Sequence, residues 1–114
     1  MAFSLGHEKR EQVNILSLKG YIHLEESKEL RRRVKMLLDK GEKQFVLDFS
    51  DAPIISSVGL SQILEMVSEI LTNTTLKFAY CGLSSTGQFS FKTLGLLEYI
   101  KAYSTKDEAI KHLS

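Results

Sequence analysis

Along the chain the apolar positions switch between a period of two, as in strands, and a period of three to four, as in helices. Phe3 and Leu5 alternate within Phe3 to His7, and Val13, Ile15, Leu16 and Leu18 mark a second strand ended by Gly20. The polar stretch Glu8 to Gln12 between them predicts a hairpin, although its turn signal is weak. Tyr21 and Ile22 either extend the sheet edge or begin a loop. From Glu25 to Lys40 the spacing becomes helical, with Leu30, Val34, Leu37 and Leu38 on one side and Gly41 suited to closing the helix. Gln44 to Phe49 is a short, nearly continuous apolar run, the pattern of a strand covered on both faces.

Ser57 to about Thr72 predicts a second helix, with Ile63, Leu64, Val67, Ile70 and Leu71 on one side. Leu76 to Tyr80 follows as a strand, Ser84 to Thr93 as a short polar helix, and Tyr99 to Tyr103 as a last short strand. Thr105 to Glu108 fits a capping box ahead of a closing helix whose apolar side is Ala109, Ile110 and Leu113. After the first hairpin, strands and helices alternate, which implies right-handed crossovers and a mostly parallel or mixed sheet. The expected architecture is α/β, a mixed sheet of four to five strands with about four helices packed mainly on one side.

Composition narrows the function without naming it. The length suits one domain, and the formal net charge of +1 gives no chain-wide case for nucleic acid or an acidic membrane surface. The basic run Arg31-Arg32-Arg33 with Lys35 has no interleaved aromatics and reads as a solvated helix face. Cys81 is the only cysteine, which excludes an internal disulfide and fits a reducing compartment. Met1 to Glu8 lacks the basic and apolar segments of a signal peptide, and no apolar run approaches the ~20 residues of a membrane span. A cytoplasmic protein is therefore expected, with no direct membrane insertion.

Candidate chemistry concentrates at one place. Asp51, Ala52 and Pro53 give turn chemistry after the apolar strand, and two adjacent hydroxyls, Ser56 and Ser57, then lead through Val58 and Gly59 into an apolar helix. A serine at a helix start faces backbone N–H groups and the positive end of the helix dipole, so a phosphate is tolerated there. Catalytic alternatives are poorly served. His7, His23 and His112 are scattered, no glycine-rich phosphate loop is present, and a Ser–His arrangement can arise only through the fold. Asp48 and Asp51 bracket a strand end where a metal can bind, but a loop acid and a turn acid describe them better. No cofactor is implied.

With these residues on the page, the chain resembles the STAS domain family, the anti-sigma-factor antagonists and their relatives. The resemblance runs over nearly the whole chain, 1–114, as a single STAS domain. Its sharpest part is Val46-Leu47-Asp48-Phe49-Ser50 followed by Ile55-Ser56-Ser57-Val58-Gly59-Leu60, with support from Gly20-Tyr21-Ile22, Cys81-Gly82-Leu83 and Glu108-Ala109-Ile110. It implies a non-enzymatic switch in which Ser57 is phosphorylated by a partner that is both a serine kinase and an anti-sigma factor. A PP2C-type phosphatase would restore the unmodified form. The expected contact surface comprises Gly20, Tyr21, His23, Asp51, Pro53, Ile55, Ser56, Ser57, Val58, Gly59, Ser61 and Gln62, on a monomer or weak dimer. Two residues depart from the family pattern: Ser56 and His23 stand where acids are usual. Ser56 is thereby open as a second acceptor. The alternative is an unphosphorylated STAS module in a signalling scaffold or a lipid-transporter complex.

Overall fold

A computed structural model describes residues 3–113. Its elements are β1 (Ser4–Arg10), β2 (Val13–Lys19), α1 (Leu24–Asp39), β3 (Gln44–Asp51), α2 (Ser57–Ile70), β4 (Lys77–Cys81), α3 (Ser85–Thr93), β5 (Ala102–Tyr103) and α4 (Lys106–Leu113). The strands lie side by side in chain order. β1 and β2 are antiparallel, and each later neighbour is parallel to the one before. When parallel strands are laid down in order and every crossover turns the same way, all the crossover helices fall on one face. This is the arrangement found: α1, α2 and α3 supply Leu30, Val34, Leu37, Ile63, Met66, Val67, Ile70 and Phe91 to a core against Leu16, Leu18, Phe45, Leu47, Phe49, Phe78 and Tyr80. α4 covers the opposite face, where Ala109 packs on Val13, Ile15, Val46, Ala79 and Cys81. Alternation along β3 divides its side chains between these two cores, which accounts for its unbroken apolar run.

The departures from the sequence-based expectation are local. β1 extends through Glu8 to Arg10, and only Glu11 and Gln12 form the turn, with Glu11 at a φ of 55°. The polar residues belong to the strand because they meet α4: Lys106 binds Glu8 at 3.0 Å and Arg10 binds Asp107 at 3.0 Å. α2 ends at Ile70 with Leu71 as its cap, slightly short of Thr72. The last strand contracts to Ala102–Tyr103. Of the capping box expected before α4, the N-cap bond forms, with the Glu108 amide donating to Thr105 Oγ1 at 3.2 Å. α1 closes through bonds from Gly41 N to the Leu38 carbonyl (2.9 Å) and from Glu42 N to the Leu37 carbonyl (3.0 Å), a Schellman ending.

Under α3 the core is aromatic. Phe91 meets Tyr80 edge-on at 5.0 Å between ring centroids and Phe49 at 5.5 Å. The Tyr80 hydroxyl is buried without a hydrogen-bond partner among the described residues, and burial pushes its ionisation above the usual tyrosine range. An unsatisfied buried hydroxyl costs about 1–3 kcal/mol in desolvation. Tyr80→Phe removes it while keeping the ring contacts. Urea unfolding is expected to show stability unchanged or raised by up to about 2 kcal/mol, whereas a clear loss would mean that the hydroxyl has a partner.

Candidate functional site

The C-terminal ends of β2 and β3 do not separate when the strands end. The sheet registry shifts between Ser17 and Lys19, and Lys19 pairs with Asp51. Gly20, at a φ of 104°, then turns the chain in a backbone region that other residues rarely enter. Its amide donates to the Asp51 carbonyl at 3.0 Å. Ile22 N donates to the Ile54 carbonyl at 3.1 Å, and Ser56 N donates to the Ile22 carbonyl at 2.9 Å. A parallel bridge between Ile22 and Ile55 completes the seam. Two loops distant in sequence are thus bonded into one surface, and they contain the residues singled out above from Gly20 to Ser57.

Each loop ends in a helix cap. Ser56 caps α2: its Oγ accepts from the Gly59 amide at 3.0 Å. His23 occupies the same position before α1, where its own amide donates to Glu26 Oε1 at 3.0 Å. The two caps are also bonded to each other, with His23 Nδ1 lying 2.6 Å from Ser56 Oγ. The imidazole stacks on Tyr21, with centroids 5.8 Å apart and planes 11° apart. The caps of α1 and α2 are therefore joined side chain to side chain.

Ser57 is the first residue of α2 and is exposed. Its carbonyl accepts from Ser61 Oγ at 3.1 Å, but its own hydroxyl makes no hydrogen bond to any described residue. The amides of Ser57 and Val58 lie at the open end of the helix, where no intrahelical acceptor exists. Around them the surface is apolar: Tyr21 is 50% exposed, Ile54 63% and Val58 44%. Asp51 and Pro53 are exposed, while Ile55 and Gln62 are half-buried.

Gly59 is buried and serves the site from beneath. A Cβ there would lie 2.8 Å from the Ile22 carbonyl oxygen and 3.3 Å from Ile55 Cγ2. Only glycine lets α2 start this close to the β2–α1 loop.

Ile54 and Ser84 belong to the site but escape a reading of the chain alone, and Ile22, left between sheet edge and loop by that reading, bridges to Ile55. Ser84 caps α3, accepts from Gly87 N at 3.0 Å and donates to the Pro53 carbonyl at 3.0 Å. A signal for it was present: Ser84-Ser85-Thr86-Gly87 repeats the Ser-Ser-x-Gly pattern of Ser56-Ser57-Val58-Gly59. Both copies start helices in the same way, and Ser85 is exposed like Ser57. A shallow pocket of about 110 Å³ lies between the two starts, lined by Pro53, Ile54, Ile55, Leu60, Thr86 and Ser90.

The remaining polar candidates sit elsewhere in structural roles. Asp48, expected in a loop, lies within β3, where its Oδ1 accepts from Ser50 N at 2.9 Å and from Ser50 Oγ at 2.6 Å. Cys81 is buried, and burial first, then the Asp48 carboxylate, pushes its thiol up to about 12, so it stays protonated and unreactive. His7 donates to Asn14 Oδ1 at 2.9 Å, and His112 donates to the Glu108 carbonyl at 2.9 Å. Among the described residues no group of three His, Cys, Asp or Glu is placed to hold a metal. No helix among them is long and apolar enough to cross a membrane.

This geometry defines a class: a small α/β domain that presents a free serine on an apolar rim at the strand ends. The STAS domain family model matches residues 6–109, and the chain belongs to that family. No curated protein sequence matches it. Its fold is similar to an anti-sigma factor antagonist from Mycobacterium paratuberculosis, with a TM-score of 0.85, 18% identity and 98% of this chain and 94% of that one covered. A putative anti-sigma factor antagonist from Thermotoga maritima gives a TM-score of 0.84 at 22% identity, covering 96% of this chain and 93% of that one. The Bacillus cell fate determinant SpoIIAA in its phosphorylated form gives 0.73 at 18% identity, covering 99% of this chain and all (100%) of that one.

The close approach at Gly59 is directly testable. Gly59→Ala gains up to about 1 kcal/mol in helix propensity, yet its methyl collides with backbone that is fixed by the seam. A net loss of about 1–2 kcal/mol is expected in urea unfolding, and a gain would show that the loops are free to separate.

Proposed function

We propose that this protein is an anti-sigma-factor antagonist-like regulator whose binding to a combined anti-sigma factor and serine kinase is switched by phosphorylation of Ser57. A PP2C-type phosphatase returns it to the unmodified state. The observation that carries this reading is the contrast between two adjacent serines. Ser56 is held on both sides, whereas Ser57 is exposed with its hydroxyl unengaged. Tyr21, Ile54 and Val58 supply an apolar contact rim around it.

The physics of the switch follows from the position. A phosphate adds about −1.5 to −2 charges at neutral pH. At the first residue of α2 it faces free amides and the positive end of the helix, so the domain tolerates it. Binding is lost because a charge enters a contact that must be desolvated, where an unpaired charge is costly. The domain beneath stays rigid. The protein acts without catalysis. Although the fold brings His23 to Ser56, Ser56 is fixed as a helix cap, and the second ring nitrogen of His23 has no orienting partner among the described residues.

Phosphorylation by the cognate kinase with ATP should add one phosphate, mapped to Ser57 by mass spectrometry and abolished in Ser57→Ala. Phosphate on Ser85 instead would move the switch to α3. Ser57→Asp should weaken partner binding at least tenfold, a loss of about 1.4 kcal/mol, while the melting temperature moves by no more than about 3 °C. A larger drop would contradict a surface switch.

A fluorophosphonate probe is expected to leave Ser56 and Ser57 unlabelled, and stoichiometric labelling would make the protein a hydrolase. A second reading, an unmodified module in a larger complex, draws on the bonded pair His23–Ser56, which stands where the family pattern has acids. In that case the protein isolated from its native cell carries no phosphate.

A further inference from the structure

Resting on the reading of Ser57 as acceptor, we propose that His23 is a positioning residue that withholds Ser56 and so decides which of two adjacent serines receives the phosphate. A serine hydroxyl has one proton to donate and lone pairs to accept with. At Ser56 the lone pairs serve the Gly59 amide at 3.0 Å. The proton needs an acceptor, and His23 Nδ1 at 2.6 Å is the one available among the described residues. This assigns the tautomer: Nε2 carries the ring hydrogen and Nδ1 is the bare acceptor. In the opposite tautomer the ring N–H and the Gly59 amide would both donate to the two lone pairs of Ser56 Oγ, and the hydroxyl proton would have no acceptor among the described residues.

The ring is held in place for this task. It stacks on Tyr21 at 5.8 Å, and its backbone is tied to α1 through Glu26. The Ser56 amide is in turn fixed on the Ile22 carbonyl at 2.9 Å, one residue before His23. Swinging Ser56 into a kinase active site therefore means giving up the His23 bond, the α2 cap and part of the loop seam together. Ser57 gives up none of these. The cost of a cap and of a hydrogen bond corresponds to a preference for Ser57 of about 10- to 30-fold. An acid at position 56 would cap the helix equally well and offer no competing hydroxyl. With serine there, the chain carries a second candidate acceptor, and His23 is what occupies it.

The test has two arms on the full chain. In the first, Ser57→Ala and Ser57→Ala/His23→Ala are incubated with ATP and the kinase that modifies the wild type, and phosphate at position 56 is mapped. The expected result is little or none with His23 present and about a tenfold faster modification of Ser56 without it. Equal rates in the two variants would overturn the proposal.

In the second arm, long-range nitrogen–proton NMR of the unmodified protein at about pH 8.5, above the ordinary histidine range, reads the His23 tautomer. Protonated Nε2 is expected, with mixed tautomers in Ser56→Ala. A hydrogen on Nδ1, or no response to Ser56→Ala, would overturn the pairing. If the wild type accepts no phosphate at all, the proposed function fails, while the NMR arm still decides whether His23 holds Ser56.

Discussion

The site depends on one constraint, the ordering of the parallel strands. β2, β3, β4 and β5 are adjacent in chain order, so each of α1, α2 and α3 leaves from the same edge of the sheet. Their starts are drawn together there, and the caps bond to one another's loops: His23 to Ser56, Ser84 to Pro53. Open sheets of this kind place binding sites at the carboxyl ends of their strands because loops from neighbouring units converge and helix N-termini point outward. A serine at the first residue of α2 meets the free amides and the positive end of that helix.

The seam between the two loops turns that convergence into a rigid surface. Backbone bonds from Gly20, Ile22 and Ser56 continue the β2–β3 pairing beyond the strands. Gly59 then allows α2 to begin against the Ile22 carbonyl. Rigidity matters for the switch proposed here, because a phosphate that only changes the surface needs a framework that does not yield. The pairing of His23 with Ser56 fits the same logic: a hydrogen bond between the two caps keeps them in register beside Ser57.

Most of the fold was legible in the chain because periodicity reports burial, and burial on two faces gives β3 its unbroken apolar run. What misled the reading was polarity with a distant cause. Glu8 and Arg10 belong to β1 because α4 answers them with Lys106 and Asp107, and residues nearly a hundred positions apart leave no local sign of that. The site was legible through one sharp stretch, Ile55 to Leu60. Ile22 was left between sheet edge and loop because an isolated bridge has no periodicity. Ser84 was missed although the repeat of Ser-Ser-x-Gly marked it.

By itself, the sequence determined the element types, their alternation and the placing of Ser57 at a helix start, since turn chemistry, caps and apolar spacing act over a few residues. Only the tertiary structure decided that His23 reaches Ser56, that Gly59 is a spacer under the seam, and that of two neighbouring hydroxyls one is held and one is free. Those outcomes depend on contacts between loops 30 residues or more apart in the chain, such as the His23–Ser56 bond across a separation of 33, and such contacts exist only once the sheet has set the distance between them.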